Sequence, residues 1–402
     1  MFSFVHFGRY RIIPQLLCLP ASMLGLIACS VDASMPVVET MPVVETMETE
    51  PDGPASPVNQ RPEVDEASVN FGAVPPPATP GSEKADAEPE DTPWLRTAGN
   101  RIIFPDGTPF EGRGANLHDT RGCNACTTQS PDADEVIRRA DVLIDEWGAN
   151  WVRLVLESYG EPSVLTDPEY LSDIERIVDH IGTKPGVYVL LSLWHDPTFT
   201  ELGWPGEQTQ VVWEQLTTTF GNDSHVMFGL VNEPQQNYDG NLDAQVWQAM
   251  NESVATIRRT ESNLGVPAHL IAVQGTGGWA RRLDHYISHP IEAGGGTNIL
   301  YETHIYDPES AFEELLTTPA LHLPVIIGEF GPIGSMSLED CDRLMERAES
   351  LGVPYLAWTF HMRCPPNLLE DNSNGGCGVD MNLRPTPWGM RFRERLSQPW
   401  KR

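Results

Sequence analysis

The chain has little positive charge: 26 Lys and Arg face 57 Asp and Glu across 402 residues, a formal net charge of −31. That balance repels nucleic acid, anionic membrane surfaces and polyanionic polymers, and leaves open a neutral or cationic partner. Phosphate-binding loops are missing too. No strand-like run is followed by a GxGxxG or Walker-type segment, which weakens the case for a doubly wound nucleotide-binding fold. Metal-site spacing is equally scarce: there is no HxH or HExxH pair, and the one CxxC, Cys123 to Cys126, lacks a second pair to complete a zinc site. No metal or cofactor is expected. Nor is there a long unbroken apolar run, since Ile12 to Ala28 is interrupted by Pro14, Gln15 and Pro20 and is short for a spanning helix.

Arg9 and Arg11 precede that run, and it ends in Leu26-Ile27-Ala28-Cys29, which resembles a bacterial lipobox. Residues 1–28 then read as a lipoprotein signal peptide, with Cys29 as the lipidated N-terminus and ordinary signal cleavage as the plainer alternative. The expected location is the bacterial cell envelope, lipid-anchored on an outer surface, or secreted. Residues 29–93 read as a disordered, acidic, Pro-rich tether: from Ser30 to Pro93 there are 14 acids against two bases and almost no aromatics. A flexible segment of that length spans on the order of 45 Å end to end. Export permits disulfides. With Cys18 and Cys29 set aside, Cys123, Cys126, Cys341, Cys364 and Cys377 remain, and an odd number cannot all pair within one chain. Cys364 and Cys377, which bracket a Pro/Asn/Gly-rich loop, are the preferred pair, and Cys123 with Cys126 suits a local staple.

Residues 94–402 alternate short apolar runs with amphipathic stretches. A hairpin is expected around the turn signals Gly99-Asn100 and Asp106-Gly107, followed by eight buried strands. These are Arg113 to Leu117, Trp151 to Leu156, Val187 to Trp194, Val226 to Val231, Leu270 to Gln274, Ile299 to Thr303, Pro324 to Gly328 and Pro354 to Trp358. Helical patterns between them include Asp132 to Glu146, Tyr170 to Ile181, Val211 to Phe220, Asp243 to Thr260 and Leu338 to Leu351. Eight strands alternating with helices imply an α/β fold, a (β/α)8 TIM barrel, whose reacting groups sit at the C-terminal strand ends.

At two of those ends stand Asn232-Glu233-Pro234 and Gly328-Glu329-Phe330. The fourth and seventh strands of such a barrel face one another, so two carboxylates can converge on one bond, as glycoside hydrolysis requires. The chain here resembles glycoside hydrolase family 5, the cellulase- and mannanase-like β-glycanases. Seven features fall in the family's order: Arg113 to Asn116, Arg153, Trp194-His195, Asn232-Glu233-Pro234, His304-Ile305-Tyr306, Glu329 and Trp358. The resemblance implies Glu233 as acid/base and Glu329 as nucleophile of a retaining, double-displacement hydrolase. Arg153 would hydrogen-bond the nucleophile and keep it ionised, and Asn232 would hold the sugar 2-hydroxyl. Tyr306 could donate to Glu329, His195 and His304 could orient substrate or modulate Glu233, and Trp358 would stack under the sugar. Trp204, Trp279, Tyr238 and His361 fall in loops where further subsites or ordinary rim packing would lie.

The family's pattern is not matched throughout. Leu193 stands where many cellulases of the family carry Asp, and His118-Asp119 has no assigned role, so the polymer stays open. An endo-β-1,4-glucanase (cellulase) acting on neutral β-linked polysaccharide or oligosaccharide, as a monomer, is the expectation; β-1,4-mannanase follows. Two readings from other classes are a non-catalytic polysaccharide-binding barrel and a metal-dependent hydrolase built on His118, His195 and His304.

Overall fold

Strand β1 (Arg96–Ala98) turns back on β2 (Arg101–Ile103) through Gly99, whose φ of 59° is a left-handed conformation that glycine adopts without steric cost. This hairpin precedes eight parallel strands: β3 (Arg113–His118), β4 (Trp151–Leu156), β5 (Tyr188–Leu193), β6 (Val226–Gly229), β7 (Ile271–Gln274), β8 (Ile299–Ile305), β9 (Val325–Phe330) and β10 (Tyr355–Ala357). They pair in sequence order, and β10 closes the ring between β9 and β3. The (β/α)8 barrel and the hairpin ahead of it are thus present as the sequence predicts. The structure, a computed structural model, describes residues 92–121, 132–156, 163–194, 203–234, 237–371 and 383–401. The expected signal peptide, Cys29, almost all of the tether, His195, Cys123, Cys126 and Cys377 lie outside these.

The outer helices are α1 (Ala133–Asp141), α2 (Pro168–Gly182), α3 (Glu207–Phe220), α4 (Asp243–Leu264), α5 (Asp284–Ser288), α6 (Thr318–Ala320), α7 (Leu338–Leu351) and α8 (Pro387–Ser397). Local signals set their limits. Asp132 caps α1 by accepting from the Glu135 backbone N–H, and the expected run to Glu146 continues as a π-helical turn. Ser337 and Asp340 form a reciprocal capping box on α7, which ends at Gly352 with φ 65°. The units after β7 and β8 are irregular: short α5 follows one, and 3-10, π and brief α6 segments follow the other.

Period-two alternation sorts side chains between two cores. One lies between strands and helices, with Val152, Leu154, Val189, Ile327 and Trp213 fully buried. The other fills the lower barrel, where Leu300, Ile326, Leu190 and Met227 meet Leu95, Ile102 and Phe110 from the hairpin side. On β8 the same alternation stacks Leu300, then Glu302, then His304 along one face. A hydrophobic floor therefore carries a polar layer above it. Cys341 is a buried free thiol; Cys364 is not free, and its expected bridge to Cys377 falls on a residue outside the described ones. Among the described residues no helix is long and apolar enough to cross a membrane.

Candidate active site

Arg153 organises the polar layer. It is fully buried on β4, and its guanidinium donates to Asn116 Oδ1 at 2.7 Å, Glu329 Oε1 at 2.8 Å and Asn232 Oδ1 at 2.6 Å. Its Nε faces Glu302 Oε1 at 3.3 Å. Asn116 is fixed in turn by donating to the carbonyls of Gly328 and Ala357, at 2.9 and 3.2 Å. One planar cation thus ties together β3, β4, β8, β9 and the segment after β6, a task suited to a rigid fork of donors.

Glu329, 3% exposed near the end of β9, also accepts from the Tyr306 hydroxyl at 2.9 Å. Burial and the neighbouring Glu233 push the Glu329 carboxyl above the usual carboxylate range, while His304, Arg153 and Tyr306 pull the other way. Arg153 acts in the expected direction, but the net shift is upward because desolvation is the largest effect. The phenol of Tyr306 is held well above its ordinary value by burial and by Glu329 and Glu233, so it remains a donor.

Glu233 sits on backbone in the left-handed region, φ 50°, which is uncommon outside glycine. Its N–H donates to Gln274 Oε1 at 3.2 Å, and Oε1 meets His304 Nδ1 at 2.8 Å. His304, fully buried, has Nε2 at 3.1 Å from Glu302 Oε1 and Nδ1 at 3.5 Å from Glu329 Oε2. Burial disfavours its charge, but Glu329, Glu233 and Glu302 outweigh that and raise it to about 9. The Glu302 carboxyl is held below its usual range: burial opposes this, and Arg153 and His304 prevail.

Ligand atoms of Glu233, His304 and Glu329 all lie within 4.8 Å of one another. A cation placed there would compete with the proton that Glu329, Glu233 and Glu302 favour on His304. Of the three-histidine alternative, His195 lies outside the described residues; His118 packs edge-on against Trp358 and His361, each at 5.3 Å between ring centroids.

The structure therefore brings together Arg153, Asn232, Glu233, His304, Tyr306 and Glu329. Trp358, 7% exposed, lies beside Trp194 with ring centroids 5.7 Å apart. Of the loop residues, Trp204 and His361 are buried, and burial and the charges of His118, Arg139 and Arg363 push the His361 imidazole well below its ordinary value. Tyr238 and Trp279 are exposed, 62% and 43%. Sequence reading missed Glu302 and Gln274; the available signal was a charged or amide side chain inside a strand-like apolar run.

A barrel with two carboxylates converging at the ends of its fourth and seventh strands defines a class of glycoside-hydrolase-type barrels. The family model for Cellulase (glycosyl hydrolase family 5) matches residues 105–363, more than half of the chain, and the chain belongs to that family. It is 24% identical over 263 residues to Endoglucanase B of Ruminococcus albus, covering 55% of this chain and 63% of that protein. It therefore spans somewhat under two thirds of that relative's length. It is 26% identical over 306 residues to mannan endo-1,4-beta-mannosidase of Streptomyces lividans, covering 73% and 74%. The catalytic domain of a Thermobifida fusca endoglucanase, solved with cellotetraose, shares the fold at TM-score 0.60 and 18% identity, over 76% of this chain and 97% of that one.

Proposed function

We propose that the protein is a retaining β-glycanase, and that its substrate is a β-1,4-glucan. The observation that carries the reading is the pair Glu233 and Glu329, with carboxylate oxygens within 4.8 Å. So close an approach of one oxygen from each suits direct attack by the second carboxylate, whereas an inverting enzyme needs room for a water between them. Glu329 is the nucleophile, flanked by Arg153 and Tyr306; Glu233 is the acid and base, flanked by His304.

In the first step the carboxylate of Glu329 attacks the anomeric carbon, the bond to the leaving oxygen breaks, and that oxygen takes the proton of Glu233. In the second, Glu233 removes a proton from water whose oxygen attacks the same carbon and releases Glu329. Asn232, whose Nδ2 has no hydrogen-bond partner among the described residues, is oriented by Arg153 to donate to a sugar hydroxyl. Trp358 offers an aromatic face to the pyranose. His195 is assigned to substrate hydroxyls from its place in the sequence. A β-1,4-mannan is the second reading, favoured by the mannanase match over 74% of that relative.

The test is reducing-sugar release by residues 94–402 on carboxymethylcellulose, mixed-linkage glucan, glucomannan and galactomannan. Glu329→Gln is expected to cut turnover by about three orders of magnitude or more, and azide to rescue Glu329→Gly. Near-native activity of Glu329→Gln would overturn the assignment; a preference for galactomannan would select the second reading. The lipid anchor on Cys29 is a separate proposal, checked by whether Cys29→Ala abolishes membrane fractionation.

A further inference from the structure

Glu302 is fully buried on β8, two residues before His304, and its Oε1 serves both Arg153 Nε at 3.3 Å and His304 Nε2 at 3.1 Å. A carboxylate in such a place is costly unless it is paired. Space has also been cleared for it: a Cβ on Gly328 would lie 1.9 Å from Oε1. Resting on the reading of Glu233 as acid and base, we propose that Glu302 is the positioning residue for its proton. By accepting from Nε2 it holds His304 doubly protonated, so that Nδ1–H occupies Glu233 Oε1 and the catalytic proton rides on Oε2.

The argument is one of donors and acceptors. The groups facing the imidazole are Glu302 on its own strand, Glu329 on β9 and Glu233 after β6; Arg153 and Tyr306 touch two of these carboxylates from beyond. An ionised carboxylate only accepts, so a ring held between Glu302 and Glu233 must donate from both nitrogens. When Glu233 is protonated, Oε1 still accepts from Nδ1–H, which leaves Oε2 to carry the proton. As that proton passes to the glycosidic oxygen, the electron pair of the breaking bond leaves with that oxygen. The carboxylate left on Glu233 is already hydrogen-bonded to a cation. The rise of His304 to about 9, against the effect of burial, fits this arrangement. Were Glu302 only a counter-ion for Arg153, its loss would act through Glu329 and be indifferent to the leaving group.

Glu302→Gln keeps the shape and removes the charge. With β-cellobiosides of 2,4-dinitrophenol, which leaves without a proton, and of 4-methylphenol, which needs one, kcat/KM is expected to fall about tenfold further on the second. The basic limb of the pH profile should move to lower pH. Equal losses with an unmoved limb would overturn the proposal. Should the variant not fold, 15N resonances of the wild-type His304 ring, assigned by their absence in His304→Asn, decide it. Both nitrogens protonated at neutral pH is the expected result, and a neutral ring overturns it. Wild-type inactivity on both glycosides would instead sink the functional reading, which the ring resonances leave untouched.

Discussion

Replacing Arg153 by Met keeps most of the volume and removes the fork. Three hydrogen bonds of 2.6 to 2.8 Å and the 3.3 Å contact of Nε with Glu302 disappear together. What remains is Glu302, fully buried, and Glu329, 3% exposed, without their shared cation. Breaking a buried ion pair by removing one partner costs about 3–5 kcal/mol, because the survivor is left uncompensated. In a domain of this size that is a fall in Tm on the order of 10 °C. The sign with pH follows from Glu302, whose carboxyl is held below its usual range when folded. In the wild type its stabilisation is present above the unfolded carboxylate pKa and lost as pH falls through the lower folded value. In Arg153→Met the share of that stabilisation due to Arg153 is missing, with the share due to His304 left, so the gap between the two proteins should be widest at neutral pH and narrow in acid. Calorimetric melts across the acid-to-neutral range measure it. A Tm gap that stayed constant or widened in acid, or a neutral-pH loss under about 1 kcal/mol, would falsify the idea of a shared buried cation.

Two further outcomes are expected. Gly328→Ala puts a Cβ 1.9 Å from Glu302 Oε1, which is pinned from two sides, so overpacking should cost about 1–3 kcal/mol and disturb the site; unchanged Tm and kcat/KM would show that Glu302 moves freely. Because a nucleophile must be ionised and the Glu329 carboxyl is raised, activity should fall as pH drops through that raised value. The acid limb of kcat/KM then sits above an ordinary glutamate's, and a limb at or below the ordinary value would contradict it.

The barrel was legible because its strands are buried on both faces and read as near-continuous apolar runs: Trp151–Leu156 has no fully polar position except Arg153. The regular helices were legible through their amphipathic stripes. The units after β7 and β8 were not, since a run such as Ala293–Gly296 has no helical periodicity and its course is set by packing against α4. In the site, Glu233 and Glu329 stood out because each closes an apolar run. Glu302 did not, because its meaning depends on what lies across the barrel: Arg153 is distant in sequence, and the space Glu302 fills comes from the missing side chain of Gly328. Asn116 was visible as part of an ordered motif, but its service to Arg153 needed the closed ring.

The hairpin and the cluster of Leu95, Ile102, Phe110, Trp151 and Tyr188 stopper the barrel from beneath. Access to Glu329 is thereby one-sided: from beneath it is blocked, and only the opposite end of the barrel, where Trp358 lies, is left. On the proposed function, loops at that end can be recut for another substrate while the stopper and the Arg153 layer stay as they are. Heritable change in diet and heritable change in robustness would then be written in different parts of the chain.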